Sequence, residues 1–363
     1  MNVNIKRLIV KYNSAVVGFL EELADQSIAF QYAEAWVKGG FSISPLYLPL
    51  TDKVYVSKSD HFSGLFGVFY DSLPNGWGEL LVRRMLAKKG INFDKLNALT
   101  RLSLIGDDGL GALAYEPSQA DKSENKYIDL DQLASDVNAI FNGLSEMANL
   151  DEVYALGGAS GGARPKAHMT LDNTQWIVKF PSSMDPKNIG ILEYQANETA
   201  QKAGIHVNEF TLFPSQKYNG YFAAKRFDRS AGNRLHVISL SGILETPHTI
   251  PNLDYAHLFQ VVQKICVDQK DMIEAYKRMC FNVLYQNKDD HGKNMAFLYD
   301  ETIGGYTLTP FYDITKTPHK FEHEMTVLGN GNPTERDLLA IAKEFKLSLK
   351  TCSSIIDDIK QLA

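Results

Sequence analysis

A chain of 363 residues, 44% hydrophobic and 22% charged, is long enough for two domains with cores of their own and has the balance of an ordinary globular protein. A formal net charge of −6 gives no global attraction to nucleic acid, and no uninterrupted apolar stretch approaches the ~18 residues of a membrane span. The three cysteines, Cys266, Cys280 and Cys352, form no CxxC pair and no zinc-ligand spacing, so buried free thiols in a reducing compartment are expected.

In chain order, the apolar runs 5–10 and 15–20 flank Tyr12-Asn13-Ser14 and predict a β-hairpin. The first run breaks at Lys11 and is too short for a signal peptide, so a soluble cytoplasmic protein with no membrane partner is expected. Residues 28–58 are strand-like. Gly78 to Lys89 predicts an amphipathic helix with Leu80, Leu81, Met85 and Leu86 as its apolar stripe and Gly90 as its stop. The glycine turn 105–111 leads into a strand over 112–115. The polar stretch 117–126 predicts a linker between domains, and a helix is predicted over 130–148. A glycine-rich loop follows at 157–162, then strands over 167–171 and 175–180 and a helix over 190–203. Strands over 206–213 and 220–227 precede helices over 254–267 and 271–287. A hairpin over 295–300 and 306–309 leads to two terminal helices, the first opened by Thr334 and Asp337 at capping-box spacing. Beyond the linker, the loop and small sheet come first and the helices later, which is the two-lobed layout of a kinase.

The stretch Gln286 to Asn294 (QNKDDHGKN) concentrates two carboxylates, a histidine, two lysines and three carboxamides. Protein kinases place a catalytic aspartate five positions before a metal-binding asparagine, the offset of Asp289 and Asn294, and Asp313 stands where a second magnesium ligand is needed. A solvated turn explains the segment poorly, because carboxylates are disfavoured near a helix C-terminus. A bound magnesium would relieve that repulsion. His291 is more suited to an orienting role than to a magnesium ligand, since the ion prefers oxygen.

Lys179 lies on a strand whose alternation puts Trp176, Val178 and Phe180 on one face, with Ile177 and Lys179 on the other. Such a lysine is either an edge-strand gatekeeper or a phosphate-binding charge. In the second case Glu193 is the suitable partner on the next helix, and Glu198 a weaker one on a different face. The loop Gly157-Gly158-Ala159-Ser160-Gly161-Gly162 fits neither GxxxxGK[ST] nor GxGxxG, so it reads as a flexible turn or as a looser phosphate cradle. Gly158-x-Ser160-x-Gly162 has the spacing of a hydrolase elbow, with Asp313 and His319 or His323 in the right order. Pro165 and the strand-like pattern after it argue against a hydrolase, because the elbow must open a helix.

Together these residues resemble the HipA family of bacterial serine/threonine kinases, the toxins of HipBA-type toxin–antitoxin pairs. The match is carried by Gly161-Gly162-Ala163-Arg164-Pro165-Lys166, Ile177-Val178-Lys179-Phe180-Pro181 and Lys225-Arg226-Phe227-Asp228-Arg229. It continues through Asp289-Asp290-His291-Gly292-Lys293-Asn294 and Leu308-Thr309-Pro310-Phe311-Tyr312-Asp313. Nearer the N-terminus it includes Phe69-Tyr70-Asp71-Ser72-Leu73-Pro74 and the glycine turn 105–112. The resemblance implies an α+β, two-lobed protein-kinase-like fold. Residues 1–117 would form an N-terminal α+β subdomain and 127–363 the kinase domain, split into an ATP-binding lobe (127–230) and a mainly helical catalytic lobe (231–363).

It further implies ATP and Mg²⁺ as cofactors, Asp289 as catalytic base, and Asn294 and Asp313 as metal ligands. Gly157, Gly158, Ser160, Gly161, Gly162, Lys179, Glu193, Phe222, Lys225 and Phe227 would bind ATP, with His291 and Lys293 in support. Family members phosphorylate themselves on a serine of the glycine loop, and aminoacyl-tRNA synthetases are among their targets. Their partner is a helix-turn-helix HipB antitoxin that brings the complex to operator DNA. Aligned without a gap through Lys166, the family's phosphorylated serine falls on Ala159, and Ser160 lies one residue later. Lys225 stands where the family has an acidic residue. Two other readings stay open on the residues alone: a kinase-shaped subunit that binds antitoxin and DNA but turns over ATP poorly, and a small-molecule kinase.

Overall fold

The computed structural model describes all residues except 59–60, 107–108, 121–128, 145–147 and 231. These form two compact units, one of residues 1–191 and 210–236 and the other of residues 192–209 and 237–363. No helix of the described residues is long and apolar enough to cross a membrane.

The first unit opens with the expected hairpin, β1 (Arg7–Tyr12) and β2 (Ala15–Glu22), which turns at Asn13 with φ of 52°. Asparagine tolerates that left-handed conformation better than most residues. With β3 (Ile28–Tyr32), β4 (Val54–Val56) and β5 (Leu113–Glu116) the hairpin builds an antiparallel sheet in the order β4-β3-β2-β1-β5. Alternate residues Leu8, Val10 and Tyr12 are buried, the period of a sheet with one face on a core. The strand-like stretch 28–58 is interrupted by a short helix α1 (Glu34–Gly39), because Trp36 turns inward and its Nε1 donates to the Phe41 carbonyl at 2.9 Å. Helices α2 (Gly67–Tyr70), α3 (Trp77–Lys88) and α4 (Ala98–Ser103) follow. The single helix expected over 130–148 is instead α5 (Leu130–Phe141), with a separate α6 (Leu150–Gly157) capped by Asn149. Residues 145–147, and 121–126 of the expected linker, lie outside the described residues.

A second antiparallel sheet consists of β6 (Lys166–Leu171), β7 (Thr174–Lys179), β8 (Phe210–Phe213) and β9 (Tyr221–Lys225) in the order β6-β7-β9-β8. Asp172 and Asn173 both have positive φ, the backbone that a two-residue hairpin turn requires. A core of Trp77 and Leu81 from α3, Val137 and Ile140 from α5, Leu156 from α6, and Met169 and Val178 from this sheet runs through the unit. A short ribbon of β10 (Arg229–Ser230) and β11 (Asn233–Arg234) completes it.

The second unit holds most of α7 (Ile189–Lys202) and a three-stranded antiparallel sheet, β12 (Val237–Ser239), β14 (Ala296–Asp300) and β15 (Gly305–Leu308), in the order β12-β14-β15. The short α8 (Leu240–Ile243) follows β12, and the two-residue strands β13 (Leu253–Asp254) and β16 (Met325–Thr326) pair in parallel. Helices α9 (Tyr255–Ile265), α10 (Lys270–Tyr285), α11 (Glu335–Glu344) and α12 (Leu349–Leu362) make up the rest, with the Thr334–Asp337 capping box in place. Cys280 and Cys352 are buried free thiols, and Cys266 is a partly buried one.

Trp77 carries both apolar contact and a hydrogen bond from Nε1 to the Lys166 carbonyl at 3.1 Å. Trp77→Ala is expected to cost about 3–5 kcal/mol, read as an earlier urea midpoint, whereas Lys38→Ala on an exposed pair of α1 should leave the midpoint within experimental error.

Candidate active site

Helix α10 ends at Tyr285, and Gln286 takes a left-handed conformation with φ of 62°. The chain then turns back, and the Asn287 N–H donates to the Asn282 carbonyl at 2.9 Å. From there a run of buried polar side chains crosses the unit. Asn287 Nδ2 donates to Asn282 Oδ1 at 2.8 Å, and Asn282 Nδ2 to the Tyr255 hydroxyl at 2.8 Å. That hydroxyl donates to Asp290 Oδ2 at 2.8 Å. His323 Nδ1 lies 2.9 Å from the same oxygen, and the Glu324 N–H donates to Oδ1 at 2.9 Å. Burial, and then the Asp290 carboxyl, push the Tyr255 hydroxyl far above its ordinary pKa.

The two adjacent aspartates are therefore not equivalent. Asp290 is fully buried, and converging donors satisfy its carboxyl. Asp289 is its partly exposed neighbour, with 40% of its side-chain surface open. Lys320 Nζ lies 2.5 Å from Asp289 Oδ1 and 2.8 Å from Glu324 Oε1. Burial lowers the pKa of the Lys320 ammonium, but the bonds to Asp289 and Glu324 outweigh it and raise the value.

The loop closes on itself beyond Asp289. Asn294 Nδ2 donates to the Asp289 carbonyl at 2.8 Å, and the Asn294 N–H to the His291 carbonyl at 2.8 Å. His291 Nδ1 accepts the Lys293 N–H at 3.2 Å, an orienting contact, and its ring lies 5.5 Å from that of His248. Burial, then the charge of Lys293, push His248 down to about 4. Gly292 passes so close to α8 and β13 that a Cβ there would come within 2.5 Å of Leu253 Cδ1.

Asp313 reaches this loop through the β14–β15 hairpin. Its register, Phe297 opposite Leu308, returns the chain beside residue 296, where the Thr309 N–H donates to the Ala296 carbonyl at 3.0 Å. The Tyr312 hydroxyl then donates to the Lys293 carbonyl at 2.5 Å, so the residues preceding Asp313 and Asn294 are hydrogen-bonded to each other. Asp313 itself has φ of 58°, an uncommon backbone for a residue with a side chain and one that concentrates at functional sites. With Asn294 Nδ2 engaged, its Oδ1 remains, and with the Asp313 carboxylate it offers the hard oxygen donors that suit magnesium. Among the described residues no group of three or more His, Cys, Asp and Glu side chains could hold a metal alone. A magnesium held by Asn294 and Asp313 would complete its shell with phosphate oxygens and water.

The other expected site residues lie mainly in the first unit. Lys179 ends β7 opposite Lys166, with its ammonium 5.8 Å from the centroid of the buried Phe222 ring on β9. Lys225 pairs with Trp176, and Phe227 follows β9. Glu193 lies buried on the part of α7 that belongs to the second unit.

The glycine loop begins as the last turn of α6 and settles on the start of α3. The Trp77 N–H donates to the Gly162 carbonyl at 2.9 Å, and Asn75 Oδ1 accepts the Gly162 N–H. A Cβ on Gly78 would lie 2.1 Å from the Ser160 carbonyl oxygen, and one on Gly76 2.6 Å from that of Gly162. Only glycine permits this approach. Ser160 is 1% exposed, and its hydroxyl donates to the Gly157 carbonyl at 2.5 Å.

The motif Lys225 to Arg229 has a further role that its sequence did not disclose. Arg226 grips the Asp228 carboxylate through two nitrogens, at 2.9 and 2.7 Å, and donates to the Gly109 carbonyl at 2.8 Å. Arg229 donates to the same carboxylate at 2.7 Å and to the Gly111 carbonyl at 3.0 Å, and the Gly111 N–H donates to Asp228 at 2.8 Å. The second half of the glycine turn 105–111 is thus riveted to the end of β9, while Asp107 and Asp108 lie outside the described residues. Burial alone would raise the Asp228 carboxyl, but the two guanidiniums hold it well below the ordinary range.

The sheets and helices make an α+β fold of the HipA type. The chain matches the HipA-like C-terminal domain over residues 158–363 and the HipA N-terminal domain over residues 8–116, and it belongs to the HipA family. It is 25% identical over 359 residues to a provisionally named kinase of Sinorhizobium fredii, Y4dM, covering 93% of this chain and 83% of the relative. A second such protein of that organism, Y4mE, is 22% identical over 86% of this chain and 78% of its own length. Among solved structures, the HipA–HipB toxin–antitoxin complex of Shewanella oneidensis with its operator DNA contains a chain of like fold. Its TM-score is 0.71 at 20% identity, covering 97% of this chain and 88% of that one.

Asp228→Asn is expected to destabilise the fold by about 3–5 kcal/mol, because it leaves buried guanidiniums without their carboxylate. In the parent, a carboxyl depressed on folding contributes stability that is complete above the unfolded carboxylate range, near pH ~4, and is lost as the pH falls below it. Urea midpoints of parent and variant should therefore converge with falling pH.

Proposed function

We propose that this chain is an ATP- and Mg²⁺-dependent protein serine/threonine kinase and the toxin of a HipBA-like toxin–antitoxin module in the cytoplasm. The observation that carries the proposal is the closed loop Asp289–Asn294, with Tyr312 fastening Asp313 beside it. In the reaction, a serine or threonine hydroxyl oxygen bonds to the γ-phosphorus while the bond to the ADP oxygen breaks, and the Asp289 carboxylate accepts the hydroxyl proton. Asn294 and Asp313 would hold magnesium, which when bound offsets the charge of the phosphate oxygens. In this reading Lys179 would supply a point charge to the phosphates, and Glu193, Phe222, Lys225 and Phe227 would serve the ATP site. His291 and Lys293 support the loop.

The glycine loop bears on how the enzyme regulates itself. Ser160 as an acceptor of phosphate requires the loop to rearrange, since its hydroxyl is buried and bonded to the Gly157 carbonyl. Membership of the HipA family, and the HipB and operator DNA present with the Shewanella protein of like fold, support a helix-turn-helix antitoxin and DNA as partners. An aminoacyl-tRNA synthetase is the proposed protein target.

Incubation with Mg²⁺ and γ-labelled ATP tests the proposal. The parent chain should label itself or a protein acceptor, and Asp289→Asn should slow transfer by about 10²–10⁴-fold, the range for removing a general base. Asp313→Asn should do the same while circular dichroism stays unchanged. Transfer by either variant at the parental rate would remove that aspartate from the mechanism.

A further inference from the structure

Lys320 has no counterpart among the residues that the Asp289–Asn294 pattern names, yet it touches the proposed base directly. We propose that Lys320 is a positioning residue for phosphoryl transfer: it fixes the Asp289 carboxylate toward the acceptor hydroxyl, and the buried Asp290 delivers it to that place. The inference rests on the kinase reading above.

The first support is the way the segment is held. Residues 317–325 are fastened to the loop 286–290 at both ends. The Thr317 N–H donates to the Gln286 carbonyl at 2.9 Å, and the Lys288 N–H to Thr317 Oγ1 at 2.8 Å. At the other end Asp290 accepts the Glu324 N–H and contacts His323. Between them Lys288 Nζ donates to the carbonyls of Lys320 and Phe321, at 3.0 and 3.2 Å. The backbone that carries Lys320 is therefore tied to the loop that carries Asp289, and the two cannot shift independently.

The second support is the ammonium itself. It bonds Asp289 at 2.5 Å and Glu324 at 2.8 Å, and Glu324 is anchored through its own N–H on Asp290. A carboxylate with 40% of its surface open has several rotamers within reach, and a partner fixed in this way selects one of them. An ion pair this exposed contributes little to stability, so its worth lies in geometry. Positioning is also where an enzyme of this class is sensitive, because a shift of one ångström in a reacting group costs about 10²-fold in rate.

The experiment compares kcat and KM for Mg-ATP in the parent chain with Lys320→Met, Lys320→Arg and Lys316→Met. Lys316 lies just before that stretch, with its ammonium over the Tyr285 ring, 5.0 Å from the centroid. Lys320→Met should lower kcat by about 10²-fold with KM for ATP and the urea midpoint unchanged. Lys320→Arg should recover part of the loss, and Lys316→Met should match the parent. A Lys320→Met variant at or above the parental kcat would overturn the inference, and a value above it would make the contact inhibitory. A fall in kcat with an equal shift of the urea midpoint would also overturn it, by making Lys320 structural. If Asp289→Asn is inactive while Lys320→Met is normal, only this inference fails. If the parent itself transfers no phosphate, the kinase reading fails and takes the inference with it.

Discussion

The second unit depends on one fully buried carboxyl. Asp290 receives the Tyr255 hydroxyl from α9, the Glu324 N–H from the segment after Asp313, and a contact from His323, while its own backbone continues the loop that follows α10. A polar group this deep costs several kcal/mol unless its partners are all present. The arrangement therefore tolerates few alternatives. Each donor that withdraws removes part of what satisfies the buried carboxyl, so helix, loop and returning segment hold their places together. The backbone of Asp289 is held in place by this buried neighbour.

The first unit has an equivalent in Asp228. Two guanidiniums and a backbone N–H surround it, and the same arginines reach the carbonyls of Gly109 and Gly111. Together with Trp77, which inserts from α3 into the core of the second sheet, this makes one packed body from two regions far apart in sequence. The glycine loop lies on that body, at the start of α3, where Gly76 and Gly78 leave room for its backbone. The N-terminal region is thereby in direct contact with the glycine loop, through the bonds of Trp77 and Asn75 to Gly162.

Much of this was legible in the sequence where local pattern and tertiary need agree. The alternation around Lys179, the long apolar face of α10 and the capping box at Thr334 each identified an element that the fold contains. The helix α1 was hidden because Trp36 and its aromatic neighbours suit a strand equally well, and only packing decides. Adjacent aspartates look alike in sequence. What separates Asp289 from Asp290 is a set of partners 33 to 35 residues away, in Tyr255 and His323. Asn282 and Tyr255 left a faint signal, being polar atoms on otherwise apolar helix faces. Lys320 left none, since a lysine in a polar turn is ordinary. The charged pattern of Lys225 to Arg229 was visible, but its attachment to the glycine turn is a long-range fact that no spacing reveals.

The most direct test of this account follows amide hydrogen exchange in the parent and in Asp290→Ala, with phosphate transfer measured on the same samples. If one buried carboxyl couples the loop to the returning segment, the amides of Asn287, Thr317 and Glu324 should lose protection together, and transfer should fall with them. Loss of protection confined to one segment, or transfer that persists after both have loosened, would contradict it.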